Sequence, residues 1–185
     1  MPRAGLTPAA VTRLALAQLD ESGPDGLTLK AVAARAGVAT PSLYKHVQSL
    51  EHLRDLMTAE VLAEAAQEIG AAVMGRSGRE ALEAFLLAYR GYARRLPYRW
   101  TLMEHPTSDD DQVSAAAARL VEIAYAVVRG FGLSEDEQVD AVRTLRAAVT
   151  GFIALEQGGG FQIARDLDES FAYLTRVLAK GLGAC

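Results

Sequence analysis

Apolar and polar positions recur along this chain with a helical period. Val11, Leu14, Ala15 and Leu19 fall at intervals of three and four, and so do Leu53, Leu56, Met57, Val61 and Leu62 further on. Such spacing turns one face of a helix toward a core. Thr7-Pro8 opens the first helix with a threonine cap and a proline at the first helical position, where its missing N–H costs nothing. Ser22-Gly23-Pro24 closes it. Thr28 caps a second helix with Leu29, Val32 and Ala33 on its apolar side, and Gly37 stops it, because glycine accepts the positive φ of a helix end. Thr40-Pro41 repeats the opening signal and predicts a very short third helix to about Val47, after which Ser49 starts a longer fourth.

The same punctuation continues downstream. Ser77-Gly78-Arg79-Glu80 and Ser134-Glu135-Asp136-Glu137 both have the form of a capping box and predict helices over 78–95 and 135–157. A short helix is expected over 98–103. Asp109–Asp111 place negative charge at the start of a helix running to about Phe131. Gly158-Gly159-Gly160 reads as a helix end and turn, and a last helix spans 167–182 with Phe171, Leu174, Val177 and Leu178 inward. The composition agrees: there are 34 alanines, four isoleucines and no asparagine, a balance that favours helix over strand. The expectation is an all-α protein. Residues 1–50 form a three-helix domain, joined by a long helix to a helical body, the two divided as 1–50 and 51–185.

Several function classes fall away. The longest runs without Asp, Glu, Lys or Arg have nine residues, against roughly 20 mostly apolar residues for a membrane-spanning helix. The one cysteine, Cys185, excludes a disulfide framework and a cysteine metal site within the chain. With no secretory pattern at the N-terminus, the expected compartment is the cytoplasm. The histidines His46, His52 and His105 have no metal-ligand spacing, and no nucleophile elbow or phosphate loop occurs. Neither catalytic residues, a metal nor a cofactor are expected. The rival reading is a small helical ligand-binding protein or enzyme that does not touch DNA.

Charge favours a polyanion partner for one end of the chain. Residues 1–50 carry five basic and three acidic side chains, a net +2, while the remainder carries 14 basic and 20 acidic, a net −6. Inside the basic end, residues 27–47 (LTLKAVAARAGVATPSLYKHV) read as two short helices joined by a tight turn at Ala36–Ala39. Val32, Ala33, Val38, Leu43 and Val47 can pack a small core, which leaves Thr40, Ser42, Tyr44, Lys45 and His46 outward. In a helix-turn-helix the second helix enters the major groove while the first crosses the backbone. Hydroxyls and cations on that outer face suit phosphates and base edges. An ordinary helical hairpin with a solvated face remains the alternative from spacing alone.

Residues 6–56 resemble the DNA-binding domain of the TetR family of transcriptional repressors. The matching features are the helix of Val11 and Leu16, the Gly26-Leu27-Thr28 entry, Ala33–Gly37-Val38, and Pro41-Ser42-Leu43-Tyr44-Lys45-His46-Val47. The resemblance implies that Lys30, Thr40, Pro41, Ser42 and Lys45 approach bases and that Thr28, Tyr44 and His46 hold phosphates. It also implies a homodimer on a palindromic double-stranded operator, released by a small-molecule effector. One departure stands out: the family's usual lysine at the start of the fourth helix is Leu50 here, followed by Glu51.

The segment Leu145–Phe161 with Asp168 and Ser170-Phe171 resembles a C-terminal domain of the same family. Pairing of the last two helices with their copies is implied, through Val139, Val142, Leu145, Val149, Phe152 and Ile153 on one and Phe171, Leu174, Leu178 and Leu182 on the other. The aromatic and polarisable side chains Tyr92, Trp100, Met103, Tyr125 and Phe152 are the candidate effector contacts. The magnesium-linked histidine position of the family's tetracycline-binding repressor corresponds to Ala66, so tetracycline is not implied.

Overall fold

A computed structural model describes residues 6–104 and 110–183. His105, Asp109 and Cys185, all weighed above, lie outside the described residues. Among those described, all the regular secondary structure is helical: α1 (Pro8–Ser22), α2 (Leu29–Ala36), α3 (Thr40–Leu43), α4 (Leu50–Val73), α5 (Gly78–Arg95), α6 (Pro97–Glu104), α7 (Asp111–Arg129), α8 (Glu135–Gln157) and α9 (Leu167–Leu182).

Local chemistry sets most of these ends. Thr7 accepts from the Ala10 N–H at 3.2 Å and Thr28 from the Ala31 N–H at 3.1 Å, each satisfying a first-turn donor that has no partner inside the helix. Gly37 ends α2 in the left-handed region at φ 66°. There the Val38 N–H reaches Ala33 and the Gly37 N–H reaches Ala34, so two otherwise orphaned carbonyls are used. At α8 the Ser134 hydroxyl and Glu137 carboxylate cap each other's backbone.

Three local expectations are corrected. Ala39, not Thr40, caps α3: the Ser42 N–H closes the first turn on the Ala39 carbonyl at 2.8 Å, so Thr40 is the first helical residue. The α-helix itself stops at Leu43, and the chain reaches Val47 through a turn whose His46 and Val47 N–H groups both donate to the Leu43 carbonyl. At α5, Ser77 makes no side-chain cap, because Glu80 is drawn to Arg76 instead, 3.2 Å away.

The chain divides into two compact units, one of Met1–Leu62 with Tyr98–Ala117, the other of Ala63–Pro97 with Ala118–Cys185. In the first, α1 packs on α2 and α2 on α3, around the buried Val11, Leu16, Leu19, Val32, Leu43, Val47, Leu53 and Met57. In the second, α5, α8 and α9 pack on one another, burying Leu82, Leu86, Tyr92, Leu145, Ile153 and Phe171. Val177 does not join that core. It is 48% exposed on α9, because Phe171, Thr175, Ala179 and Leu182 already form the buried side of the helix.

Candidate nucleic-acid interface and effector unit

The α2–turn–α3 segment is a helix-turn-helix in geometry as well as in pattern. Val32, Ala33, Leu43 and Val47 are buried, and Val38 is half-buried. Thr28, Lys30, Pro41, Tyr44 and Lys45 are exposed, with Thr40, Ser42 and His46 half-exposed. The Tyr44 ring stands out at 57% exposure, a high value for an aromatic directly after the fully buried Leu43. All eight candidate DNA-binding residues therefore lie on the accessible part of one short segment. Thr28 has a double use: a hydroxyl lone pair caps α2, and its O–H remains available to donate.

Charge is sorted on the same unit. Arg35, also at the end of α2, is held by Glu21 through both terminal guanidinium nitrogens, Nη1 and Nη2. That bond is the main reason the Glu21 carboxyl sits below its ordinary value and Arg35 above its own. Asp20, the neighbouring acid on α1, is taken by Arg99 of α6 through Nε at 3.0 and 3.1 Å and Nη2 at 2.6 Å. Lys30, Thr40, Ser42, Tyr44, Lys45 and His46 have no such side-chain partner among the described residues. Free donors and cations thus collect on the α2–α3 surface while two acids of α1 are masked.

The start of α4, where Leu50 stands in place of the lysine implied by the resemblance, is held by local hydrogen bonds. Ser49 accepts from the His52 N–H at 3.0 Å, and His52 Nδ1 accepts from the Gln48 N–H at 3.1 Å. The His52 ring is thereby used inside the fold, reaching back to the N–H of the residue before Ser49 rather than to that of Ser49 itself as a capping-box glutamate would. Sequence reading missed this role, although Ser49 and a hydrogen-bonding side chain three residues later were its visible signal.

The candidate effector residues are divided between the two units. Trp100 and Met103 are buried on α6 in the first unit, whereas Tyr92, Tyr125 and Phe152 belong to the second, Tyr92 fully buried and the other two half-buried. The second unit also carries two open grooves. One, of about 520 Å³, runs between α4 and α7 and is lined by Ala63, Ala66, Gln67, Arg119, Glu122, Ile123 and Ala126. The other, of about 420 Å³, lies between α8 and α9, from Leu133 and Glu137 to Val177, Leu178 and Leu182. Neither is walled by Tyr92, Tyr125 or Phe152.

A buried arginine organises this second unit. Arg90 of α5 is 5% exposed, with Nε 2.9 Å and Nη2 2.6 Å from the Glu156 carboxylate of α8, and Nη2 2.8 Å from Asp168 of α9. Its guanidinium carbon also sits 5.4 Å from the centre of the Phe152 ring and 4.7 Å from that of Phe171. The hydrogen bond to Glu156 is the chief cause of its raised pKa. Phe152 therefore has a packing role in this network, against Arg90, Phe161 and Phe171.

Comparison with known proteins agrees with both regions. Residues 11–55 match the model described as bacterial regulatory proteins, tetR family, and residues 82–178 match the tetracyclin repressor-like C-terminal domain. An uncharacterised HTH-type transcriptional regulator of Mycobacterium tuberculosis is 30% identical over 97% of this chain and 82% of its own length. The chain belongs to the TetR family. The class A tetracycline repressor from transposon 1721 in Escherichia coli is 32% identical, over 83% of this chain and 68% of its own. A protein of unknown function from Rhodococcus sp. RHA1 has the same fold, with a TM-score of 0.85 at 20% identity over 98% of both chains. This TetR-family chain is a DNA-binding transcriptional regulator. Among its described residues, no helix is long and apolar enough to cross a membrane.

Proposed function

We infer that this regulator is a repressor that binds a palindromic operator in the cytoplasm as a homodimer and leaves it when a small molecule binds. Residues 1–50 serve DNA, and residues 51–185 serve the effector and the dimer. The observation that carries the DNA reading is the set of uncommitted donors on α2 and α3, beside Arg35, which is tied down. Lys30, Thr40, Pro41, Ser42 and Lys45 approach bases, while Thr28, Tyr44 and His46 hold phosphates. Selection from random duplexes tests this. A palindromic consensus is expected from the native protein, and Lys30→Ala and Thr40→Ala should each change it at a cost of about 1–3 kcal/mol per lost base contact. An unaltered consensus from both variants would remove the base-reading role.

The dimer is assigned to α8 and α9. Val177 is exposed and lines the apolar groove between the two helices, and Leu155 of α8 and Tyr173 of α9 are exposed as well. Isologous pairing would cover that surface and set two recognition helices at the spacing of a two-fold operator. Light scattering should give twice the mass of the chain, and Val177→Glu should halve it. A native monomer at micromolar concentration refutes the assignment. Tetracycline is not implied as the effector, since Ala66 supplies no imidazole where the resemblance places one.

A further inference from the structure

Charge along the last two helices is sorted by end. From Glu135 to Val142, α8 carries Glu135, Asp136, Glu137 and Asp140 and no base. From Ser170 to Leu182, α9 carries Arg176 and Lys180 and no acid. The acidic start of α8 lies beside the basic end of α9, along the groove that Ala141 and Leu145 share with Leu178 and Leu182. Glu137 is occupied in the cap of α8, and the Arg176 guanidinium sits 5.7 Å from the centre of the Tyr173 ring on its own helix. Asp140 lines the groove at 81% exposure, with only Arg143 of its own helix near it, 4.0 Å away. Lys180 is exposed beside the groove-lining Gly181 and has no acidic partner among the described residues. Asp140 and Lys180 do not meet each other.

Opposite charges beside one apolar groove, unpaired within the chain, are matched by a two-fold axis, which sets each against its opposite on another copy. We propose that Asp140 of each copy pairs with Lys180 of the other, and that these two equivalent bonds fix the register of the dimer. The occupant of the groove face is a second copy of this chain, its α8–α9 hairpin pointing the same way, with α8 across α9. Reversing one hairpin would set the acidic end against the α8–α9 loop, where Arg165 is already held by Glu169 at 3.2 Å. Burial of Val177 and the groove leucines is non-directional and permits either register. The charges choose between them, and they choose the partner as well. A related chain with the two signs exchanged would meet like charges twice, which is how interfaces reject wrong partners. The proposal rests on the homodimer reading and adds to it a register and a selectivity.

The decisive variants reverse one charge each. Asp140→Lys places two ammonium pairs across its own homodimer, and Lys180→Asp places two carboxylate pairs. One chain of each kind, however, restores both opposite-sign pairs. An exposed ion pair contributes at most about fivefold. Two attractions exchanged for two repulsions should therefore weaken either variant's dimer by about tenfold at low salt. Sedimentation velocity over a dilution series reads these constants. Native mass spectrometry of an equimolar mixture, with one variant carrying a short mass tag, reads which chains pair. The mixture should form heterodimer well above the random proportion, and the variants' deficit should shrink in about 1 M salt. Both side chains are exposed, and recovery in the mixture separates a charge effect from misfolding. The register is overturned if either variant alone dimerises as tightly as the native protein, or if mixed chains pair at random. A native monomer would overturn the homodimer reading, and the register with it.

Discussion

Replacing Arg90 by methionine gives a quantitative test of how the second unit is held together. The change removes two hydrogen bonds to Glu156 and one ionic contact to Asp168. It leaves an aliphatic chain of similar length between Phe152 and Phe171. Asp168 is 68% exposed and keeps Arg94 at 2.9 Å, so its share is small, about 0–1 kcal/mol for an exposed pair. Glu156 is 12% exposed and loses the only guanidinium it meets among the described residues. Stranding a buried charge typically costs about 3–5 kcal/mol, and the residual exposure of Glu156 puts the expectation near the lower end, about 3 kcal/mol. For a chain of this size that lowers the melting temperature by roughly 6–12 °C. The second variant decides the cause. Arg90→Met combined with Glu156→Met removes both charges, and such replacements are often neutral or stabilising, so most of the loss should return. Urea titrations of the native protein, both singles and the double, at one protein concentration, give the coupling directly. A single-variant loss below about 1 kcal/mol, or a double no more stable than Arg90→Met, would show that burial of the pair is not what fastens α5 to α8.

Other expectations follow from the caps and the DNA surface. The Glu137 carboxyl lies below its ordinary 4.5, first through the Ser134 hydroxyl and then through the Ser134 N–H. Its contribution is therefore complete above pH 4.5 and is lost as pH falls through the lower folded value. The stability gap between native protein and Glu137→Gln should close as acid is added, and a gap that widened would contradict the assignment. Thr28→Ala should cost about 1 kcal/mol of stability and weaken operator and random DNA together, with Thr28→Ser restoring both. Lys45→Ala should alter base preference at a cost of about 1–3 kcal/mol, whereas an unchanged preference with the slope of log affinity against log salt reduced by ~0.9 would move its ammonium from the groove to a phosphate.

Legibility in the sequence followed the range of the interaction. Thr7, Thr28, Gly37 and the Ser134–Glu137 pair act on atoms within five residues, so the helix limits they set can be read from neighbours alone. The outward set on α2 and α3 was legible for the same reason, once Val32, Leu43 and Val47 are assigned inward. Ser77 shows where a local rule fails: Arg76, just before it, competes for Glu80, and the ion pair prevails over the cap. The contacts that shape the two units were not legible. Arg90 finds Glu156 at 66 residues' distance and Arg99 finds Asp20 at 79. With 19 cationic and 23 acidic side chains in the chain, spacing does not tell an arginine which acid it will meet. Nor does the periodicity of α6 reveal that it belongs with α1, since a short apolar helix fits either unit equally well.

That membership bears on heredity. A unit assembled from two stretches of chain with another unit's helix between them is not inherited by a single crossover. A recombinant joined after Leu62 would keep Asp20 and Gly23 but receive a foreign α6, leaving the carboxylate without its guanidinium and the glycine without the Tyr98 ring that lies against it. Descendants of this lineage should therefore change Asp20 with Arg99, and Gly23 with Tyr98, as linked characters. New effector bodies should reach this DNA-reading head by exchange of segments on either side of α6 more readily than by replacement of everything beyond α4.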